Sequence, residues 1–197
     1  IKNRGGDVVK FQAFIAEEEI SIHAEKANYQ KLTTGESGGQ LEMAKKLELS
    51  FDNFRELFDY CNEIGIIFLS TPFDINSALL LNNLDMSMFK IASSGIFEIP
   101  LLRMIAEFKK PVLLSTGMAF EDDIERAIRV LENCKVILLD CVSLYPAPYH
   151  TIDLNRINIL RNKFRVDVGL SDHSVNNTVP LVAASLGACL IEKHFTL

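Results

Sequence analysis

The sequence predicts an α/β fold built from repeated strand–helix units. Three observations support this prediction: short apolar runs rich in β-branched residues recur along the chain, amphipathic stretches separate them, and polar residues follow almost every run. Runs that are apolar throughout are typical of parallel strands buried on both faces. We therefore expect parallel strands joined by helices.

The apolar runs predict strands at residues 8–11, 66–70, 88–91, 111–115, 136–139, 166–170 and 190–192. The periodic stretches predict helices at residues 51–63, 101–108, 121–131, 153–163 and 178–186. Ser50 is a suitable N-cap for the first helix, Gly65 follows its end, and Pro100 can open the second. The segment 20–48 is long for one connection, and in an enzyme barrel we expect it to form a loop over the mouth.

About seven strands and six helical connections fit either a (β/α)8 barrel or a doubly wound open sheet. No Gly-x-Gly-x-x-Gly pattern follows a strand, which leaves the dinucleotide-binding version of the open sheet with little support.

Composition restricts the class of protein. The chain has 197 residues, is 48% hydrophobic and carries a formal net charge of −6, which disfavours a nucleic-acid or anionic-membrane partner. No apolar run approaches the roughly 20 residues of a membrane span, and no signal-peptide pattern opens the chain. Cysteines far apart in apolar surroundings predict reduced thiols and a cytoplasmic protein; they are Cys61, Cys134, Cys141 and Cys189.

Polar clusters follow the apolar runs, and the carboxyl ends of parallel strands meet at one edge of a sheet or at one mouth of a barrel. The sequence therefore predicts that lysines, hydroxyls and two histidines gather at one cavity. The alternative is that each Ser or Thr only stabilises a turn or caps a helix, as these residues often do. This alternative does not account for lysines inside buried strands.

Lys10 and Lys90 each lie inside an apolar run, where an ammonium without a partner is costly to bury. We interpret them as cations that face an anionic phosphate or carboxylate ligand. Two alternatives stay open: an internal ion pair with Glu192 or Asp172, and a Schiff-base lysine.

His173 and His194 follow two late strands, which would bring them together if these strands are neighbours. Two neutral imidazoles suit a divalent metal that polarises a carbonyl oxygen, with Asp172 or Glu192 nearby to orient them. The alternative is that both histidines only form hydrogen bonds. His23 and His150 lie in polar contexts typical of solvated surface groups.

Eight segments in order resemble the motifs of the N-acetylneuraminate synthase family, which includes the pseudaminic and legionaminic acid synthases. The resemblance covers nearly the whole chain. The segments are residues 9–12, 40–50, 68–74, 89–93, 114–118, 144–148, 169–173 and 191–197.

This resemblance implies a (β/α)8 barrel that holds phosphoenolpyruvate and a divalent metal, Mn²⁺ or Mg²⁺. His173 and His194 correspond to the metal ligands. The resemblance implies that phosphoenolpyruvate is bound by Lys10, Lys90, Ser93, Ser115 and Ser171. It also implies catalytic roles for Lys10, Lys90, His173 and His194. The residues Gln12, Thr71, Ser143 and Tyr145 are implied to line the same site.

The implied reaction joins phosphoenolpyruvate, an N-acetylated amino sugar and water, giving a sialic-acid-type sugar and phosphate. The implied enzyme is a transferase that forms a C–C bond. The amino sugar is N-acetylmannosamine or a related 2,4-diacetamido hexose. Alternatives are a phosphoenolpyruvate-dependent synthase for another aldose, and a ligand-binding relative without catalysis.

The chain departs from the family pattern at two positions and in length. Gly95 stands where members usually carry Glu, and Asp140 stands where many carry His. The first barrel strand and the C-terminal antifreeze-like domain are missing from the match. We therefore expect residues 1–197 to form a single domain, which is an incomplete catalytic barrel. The unpaired strand edges of such a barrel need covering, so we expect the chain to be part of a longer protein that forms a homodimer.

Overall fold

The computed structural model describes residues 1–35 and 37–195, except for the side chains of residues 28, 29 and 33. Glu36, in the long segment 20–48, and residues 196–197, in the last family-like motif, lie outside the described residues. The described chain has an α/β fold with parallel strands, which confirms the predicted class. It divides into two compact units, residues 1–86 and 87–197. The single-domain assignment stays a prediction.

The first unit contains two parallel strands, β1 (Val8–Ala13) and β2 (Ile67–Pro72). Its helices are α1 (Ala16–Glu19), α2 (Asn28–Thr34), α3 (Gln40–Lys45), α4 (Phe51–Ile64) and α5 (Ile75–Asn83). The segment 20–48, where a loop was expected, thus contains two short helices. Helix α5 is not among the five ranges that the sequence periodicity predicted.

Local side chains define the ends of α4 and the start of α5. Ser50 Oγ accepts a hydrogen bond from the backbone N–H of Asn53 at 3.2 Å, and Gly65 ends α4 with a left-handed φ of 69°. Both end signals predicted for α4 are confirmed. Asp74 caps α5, because its Oδ1 accepts from the N–H of Ser77 at 2.7 Å.

The second unit contains a five-stranded parallel sheet in which chain order is sheet order. Its strands are β3 (Phe89–Ile91), β4 (Val112–Ser115), β5 (Val136–Cys141), β6 (Asp167–Asp172) and β7 (Ile191–Lys193). Its helices are α6 (Ile99–Glu107), α7 (Glu121–Val130), α8 (Asn155–Phe164) and α9 (Thr178–Ser185). The predicted strands agree with the observed strands to within two residues at each end.

Side chains of this sheet alternate between two faces. Phe89 stacks on Phe108 at the end of α6, with ring centroids 5.4 Å apart, so we call its side the helix face. Lys90, the next residue, points to the opposite side, which we call the Lys90 face. Strand register places on the Lys90 face the residues Ser115, Cys141, Ser171 and Glu192.

Two further features bear on the composition-based predictions. In residues 1–35 and 37–195, no helix combines the length and apolar character needed to cross a membrane. All four cysteines are free thiols, with Cys61 buried and Cys189 exposed.

Candidate active site

Lys90 is at the centre of the Lys90 face. Its side chain is 3% exposed, and its Nζ donates to Ser115 Oγ at 2.7 Å and to the carbonyl oxygen of Ile91 at 3.0 Å. Glu192 Oε2 lies 3.6 Å from the same Nζ. The internal ion pair raised from the sequence is therefore present with Glu192.

The other carboxylate considered for Lys90 lies on the helix face. Asp172 Oδ2 accepts a hydrogen bond from Lys193 Nζ at 2.5 Å, and Oδ1 accepts from the backbone N–H of Ser174 at 2.9 Å. Asp172 is 2% exposed. It is thus a partner of Lys193, and the idea that it orients a histidine of the site finds no support in these contacts.

Three loops bring serine hydroxyls together around Gly117. The backbone N–H of Gly117 donates to Ser93 Oγ at 3.1 Å. A Cβ atom on Gly117 would lie 2.7 Å from Ser93 Oγ and 2.2 Å from Ser143 Oγ. Only a glycine allows this close approach. The loops that follow β3, β4 and β5 are therefore packed against one another at the carboxyl end of the sheet.

His173 and His194 follow neighbouring strands, and their ring centroids lie 5.4 Å apart. The ring of Tyr145 lies 4.1 Å from His173 at an interplanar angle of 32°, and 5.6 Å from His194 at 85°. The sequence placed these three residues in one site, and the structure brings them together. Their roles stay predictions.

The hydrogen bonding of His173 defines which ring nitrogen bears the lone pair. Nδ1 lies 2.8 Å from the carbonyl oxygen of Val142, which can only accept, so Nδ1 carries the hydrogen. Nε2 of the neutral ring then bears the lone pair, 3.5 Å from Ser171 Oγ. With this tautomer, Nε2 can accept a hydrogen bond or bind a metal.

Cys141 belongs to the same cluster, although its sequence context suggested only a core thiol. Its Sγ lies 4.0 Å from His173 Nδ1. Burial raises the pKa of the Cys141 thiol, and hydrogen bonding with Ser93 and Ser171 acts in the opposite direction. Cys141 is in register with Ser171, so its place in the cluster depends on strand register and was not visible in the sequence.

Lys10, Gln12 and Thr71 lie in the first unit. Gln12 is in register with Thr71, and Lys10 lies two residues before Gln12 on the same side of the strand pair. The opposite side packs on α4 through Phe11 and Phe68, whose ring centroids are 5.4 Å apart. Thr71 is 1% exposed, and its Oγ1 has no hydrogen-bond partner among the described residues. The structure thus groups these three within their unit.

Neither position that departs from the family pattern carries a side chain on the Lys90 face. Gly95 is buried in a short 3-10 turn, and a Cβ there would lie 2.9 Å from Ile91 Cγ2. Glu98, further along the chain, is exposed. Asp140 points to the helix face, where its Oδ1 lies 3.1 Å from Arg156 Nε, and burial raises its pKa despite that arginine.

A groove of about 590 Å³ lies at the amino-terminal ends of β5 and β6. Its charged lining is Lys135, Arg161, Arg165 and Asp167. It contains none of the predicted site residues. Since ligands of parallel sheets bind at the carboxyl ends of the strands, we take the Lys90 face as the candidate site.

Comparison with known proteins identifies the family of this chain. The sequence pattern of the NeuB family matches residues 1–197. The chain belongs to the NeuB family. It is 46% identical over 200 residues to N,N'-diacetyllegionaminic acid synthase of Campylobacter jejuni, covering 98% of this chain and 59% of that protein. It is 39% identical over 203 residues to the Legionella pneumophila protein of the same name, covering 100% of this chain and 57% of that one.

A crystal structure of N-acetylneuraminic acid (sialic acid) synthetase from Leptospira borgpetersenii, in complex with citrate, is similar with a TM-score of 0.85 and 32% identity. The match covers 96% of this chain and 62% of that one. This chain therefore spans a little more than half the length of the curated NeuB-family relatives named above.

Proposed function

We propose that this NeuB-family chain is part of a synthase that condenses phosphoenolpyruvate with an N-acetylated amino sugar to give a nonulosonic acid. The observation that carries the proposal is the Lys90 face, where a buried ammonium, buried serine hydroxyls and two imidazoles meet at the carboxyl ends of parallel strands. A cation with hydroxyl donors suits a ligand that bears both phosphate and carboxylate.

The residues named from the sequence fit the anionic substrate. Lys90 with Ser115 and Ser171 would bind one anionic end, with Ser93 and Ser143 beside them. For Lys10, Gln12 and Thr71 of the first unit, phosphoenolpyruvate binding is proposed from the resemblance to the family. The buried Thr71 hydroxyl without a described partner supports a ligand in its neighbourhood, because buried hydroxyls are normally satisfied.

The proposed reaction forms one C–C bond and one C–O bond and breaks the C–O bond to phosphate. The methylene carbon of phosphoenolpyruvate attacks the aldehyde carbon of the open-chain sugar, and positive charge develops at the second carbon of phosphoenolpyruvate. Water adds to this second carbon and loses a proton, and the former aldehyde oxygen takes up a proton. Phosphate then leaves with its bridging oxygen, and the added oxygen loses its remaining proton as the ketone of the product forms. Lys90 and the serines hold the reacting molecule in position and stabilise its charges.

We further propose that His173 and His194 hold Mn²⁺ or Mg²⁺. The donor set fits a transition metal such as Mn²⁺, because Nε2 of His173 bears its lone pair and Val142 orients the ring. When bound, the metal supplies Lewis-acid polarisation of the aldehyde oxygen. Tyr145 packs on both imidazole rings and thereby limits their rotation.

The finer structural and cellular assignments belong to the same proposal. They are an incomplete (β/α)8 barrel, one domain over residues 1–197, a homodimer of the longer protein, and a cytoplasmic location. The likeness to the Leptospira synthetase supports the barrel. Free cysteines are consistent with a reducing compartment.

The deciding experiment incubates the full-length protein with phosphoenolpyruvate, Mn²⁺ and either N-acetylmannosamine or a 2,4-diacetamido hexose, and measures phosphate release and product mass. We expect equal amounts of phosphate and nonulosonic acid. Release of phosphate only with another aldose, with the corresponding product mass, would support a different sugar-acid synthase. No turnover with any amino hexose by folded, metal-loaded protein would overturn the proposal.

The metal assignment is tested with His173→Ala. We expect loss of turnover and a loss of Mn²⁺ binding of about 10-fold or more, read as free Mn²⁺ by electron paramagnetic resonance. The matched control is His150→Ala, because His150 is exposed and lies outside the cluster. Unchanged Mn²⁺ binding by the His173 variant would exclude that residue as a ligand.

Gly95 favours a second candidate, a relative that binds phosphoenolpyruvate without catalysis. The Glu that members usually carry is absent here, and a Cβ at this position would meet Ile91. This candidate predicts phosphoenolpyruvate binding without phosphate release in the assay above. Gly95→Glu is a poor rescue, because the new side chain would disturb local packing.

A further inference from the structure

Lys90 and Glu192 form an ion pair in which the carboxylate is not the nearest partner of the ammonium. The ammonium is held by two hydrogen bonds, to Ser115 Oγ at 2.7 Å and to the Ile91 carbonyl at 3.0 Å. The carboxylate lies farther away, at 3.6 Å, beyond the usual length of a hydrogen bond. The serine and the carbonyl therefore define where the ammonium lies, whereas Glu192 supplies charge.

The negative charge of Glu192 matters because the ammonium is almost fully buried. Lys90 is 3% exposed and Glu192 is 17% exposed. A buried ammonium without a counter-charge is strongly destabilising. Glu192 thus offsets the free-energy cost of burying the Lys90 ammonium in the free protein, but it does not determine where the ammonium lies.

An anionic ligand on this face changes the balance of charges. The ligand brings its own negative charge to Lys90, so the neutralising role of Glu192 becomes redundant. Glu192 is then a like charge close to the ligand, and like charges in a partly buried site repel.

We propose that Glu192 acts through Lys90 by balancing its charge: it neutralises the ammonium in the free protein and weakens the binding of anions that compete for it. This inference rests on the proposed function, in which phosphoenolpyruvate is the incoming anion and phosphate is the product. Glu192 then favours phosphate release at the end of each turnover.

The test compares Glu192→Gln with unchanged full-length protein. Calorimetry measures the Kd of inorganic phosphate and of phosphoenolpyruvate, and steady-state kinetics measures kcat and KM. We expect roughly tenfold tighter binding of both anions, the usual scale of a coupling between competing interactions. KM for phosphoenolpyruvate should fall because this substrate binds more tightly. At the same time kcat should fall, because the product phosphate is released more slowly. Glu132→Gln, an exposed carboxylate away from the Lys90 face, should change neither affinity.

The outcomes separate this inference from the proposed function. If the unchanged protein does not bind phosphoenolpyruvate, the proposed function fails. If it binds and Glu192→Gln binds equally or more weakly, the role of Glu192 is overturned alone. Should the glutamine variant fail to fold, Glu192→Asp withdraws the carboxylate from Lys90 and predicts a smaller tightening, and unchanged or weaker phosphate binding by it overturns the role.

Discussion

The two faces of the sheet in the second unit hold buried charge differently. On the helix face, Asp172 and Lys193 are joined at 2.5 Å, and Asp140 and Arg156 at 3.1 Å. On the Lys90 face, the ammonium and Glu192 are 3.6 Å apart. Pairs on the helix face are at hydrogen-bond distance and satisfy each other. The looser pair on the Lys90 face is the one that we propose an incoming anion replaces.

This difference indicates how a ligand site is distinguished from a structural ion pair. A structural ion pair stabilises the fold most when its charged atoms are close and its other hydrogen-bonding groups also have partners, as for Asp172. A binding lysine needs a fixed position and an exchangeable counter-charge. A serine and a carbonyl fix the position of Lys90, and its counter-charge on Glu192 lies beyond the usual length of a hydrogen bond.

The largest expected effect comes from Lys90→Met, which removes the cation and keeps similar length. We expect kcat/KM for phosphate release to fall by roughly 1,000-fold or more, the scale of losing a charge-stabilising donor. Lys135→Met, which removes an exposed lysine, is the control and should keep its turnover. Turnover of the Lys90 variant within tenfold of the unchanged protein would remove Lys90 from the site.

A smaller effect, on stability, is expected from Asp172→Asn on the helix face. The substitution leaves Lys193 without its closest carboxylate. Breaking a buried pair lowers the free energy of unfolding by about 3 kcal/mol or more, and we expect the lower end because Lys193 is partly exposed. Urea unfolding of the full-length protein measures the change. An unchanged midpoint would show that this pair contributes nothing to stability.

The smallest effect is expected from Arg156→Ala, and it depends on pH. Burial raises the pKa of Asp140 in the folded state and Arg156 lowers it. The folded state therefore holds this proton more tightly than the unfolded state, so stability falls as pH rises between the unfolded and folded pKa of Asp140. Removing Arg156 raises the pKa of Asp140 in the folded state further, so the pH range over which stability falls becomes wider.

We expect Arg156→Ala to lower the free energy of unfolding by about 1 kcal/mol at neutral pH, since the arginine is half-exposed. The loss should shrink towards about pH 4, because a protonated Asp140 in the folded state no longer attracts the charge of Arg156. Arg156→Lys keeps the positive charge and should lose less. A loss that grows towards acid pH would contradict this account.

Most of the fold could be predicted because local signals agree with tertiary structure. The apolar run around Leu138 and the cap at Ser50 define elements by themselves. Helix α5 was not named, although Asp74 caps it, because its apolar residues are nearly continuous and give no clear helical period. In the segment 20–48, the short helices α2 and α3 carry too few turns for a periodic pattern.

The sequence could name candidate site residues more readily than it could name their contacts. Lys90 lies inside a predicted strand and His173 and His194 follow predicted strands, so all three could be named as candidates. Which carboxylate faces Lys90 depends on strand register: Glu192 pairs beside Ser171 and reaches the Lys90 face, whereas Asp172 points to the helix face. Register is a tertiary property and cannot be derived from a single strand.

Gly117 has a consequence for anyone who wishes to redesign the substrate range of this protein. Serine hydroxyls from two other loops approach the place where its side chain would begin, at 2.2 Å and 2.7 Å. Any side chain added at 117 requires both serine side chains to move or to be replaced. A library that replaces Gly117 therefore has to vary positions 93 and 143 as well.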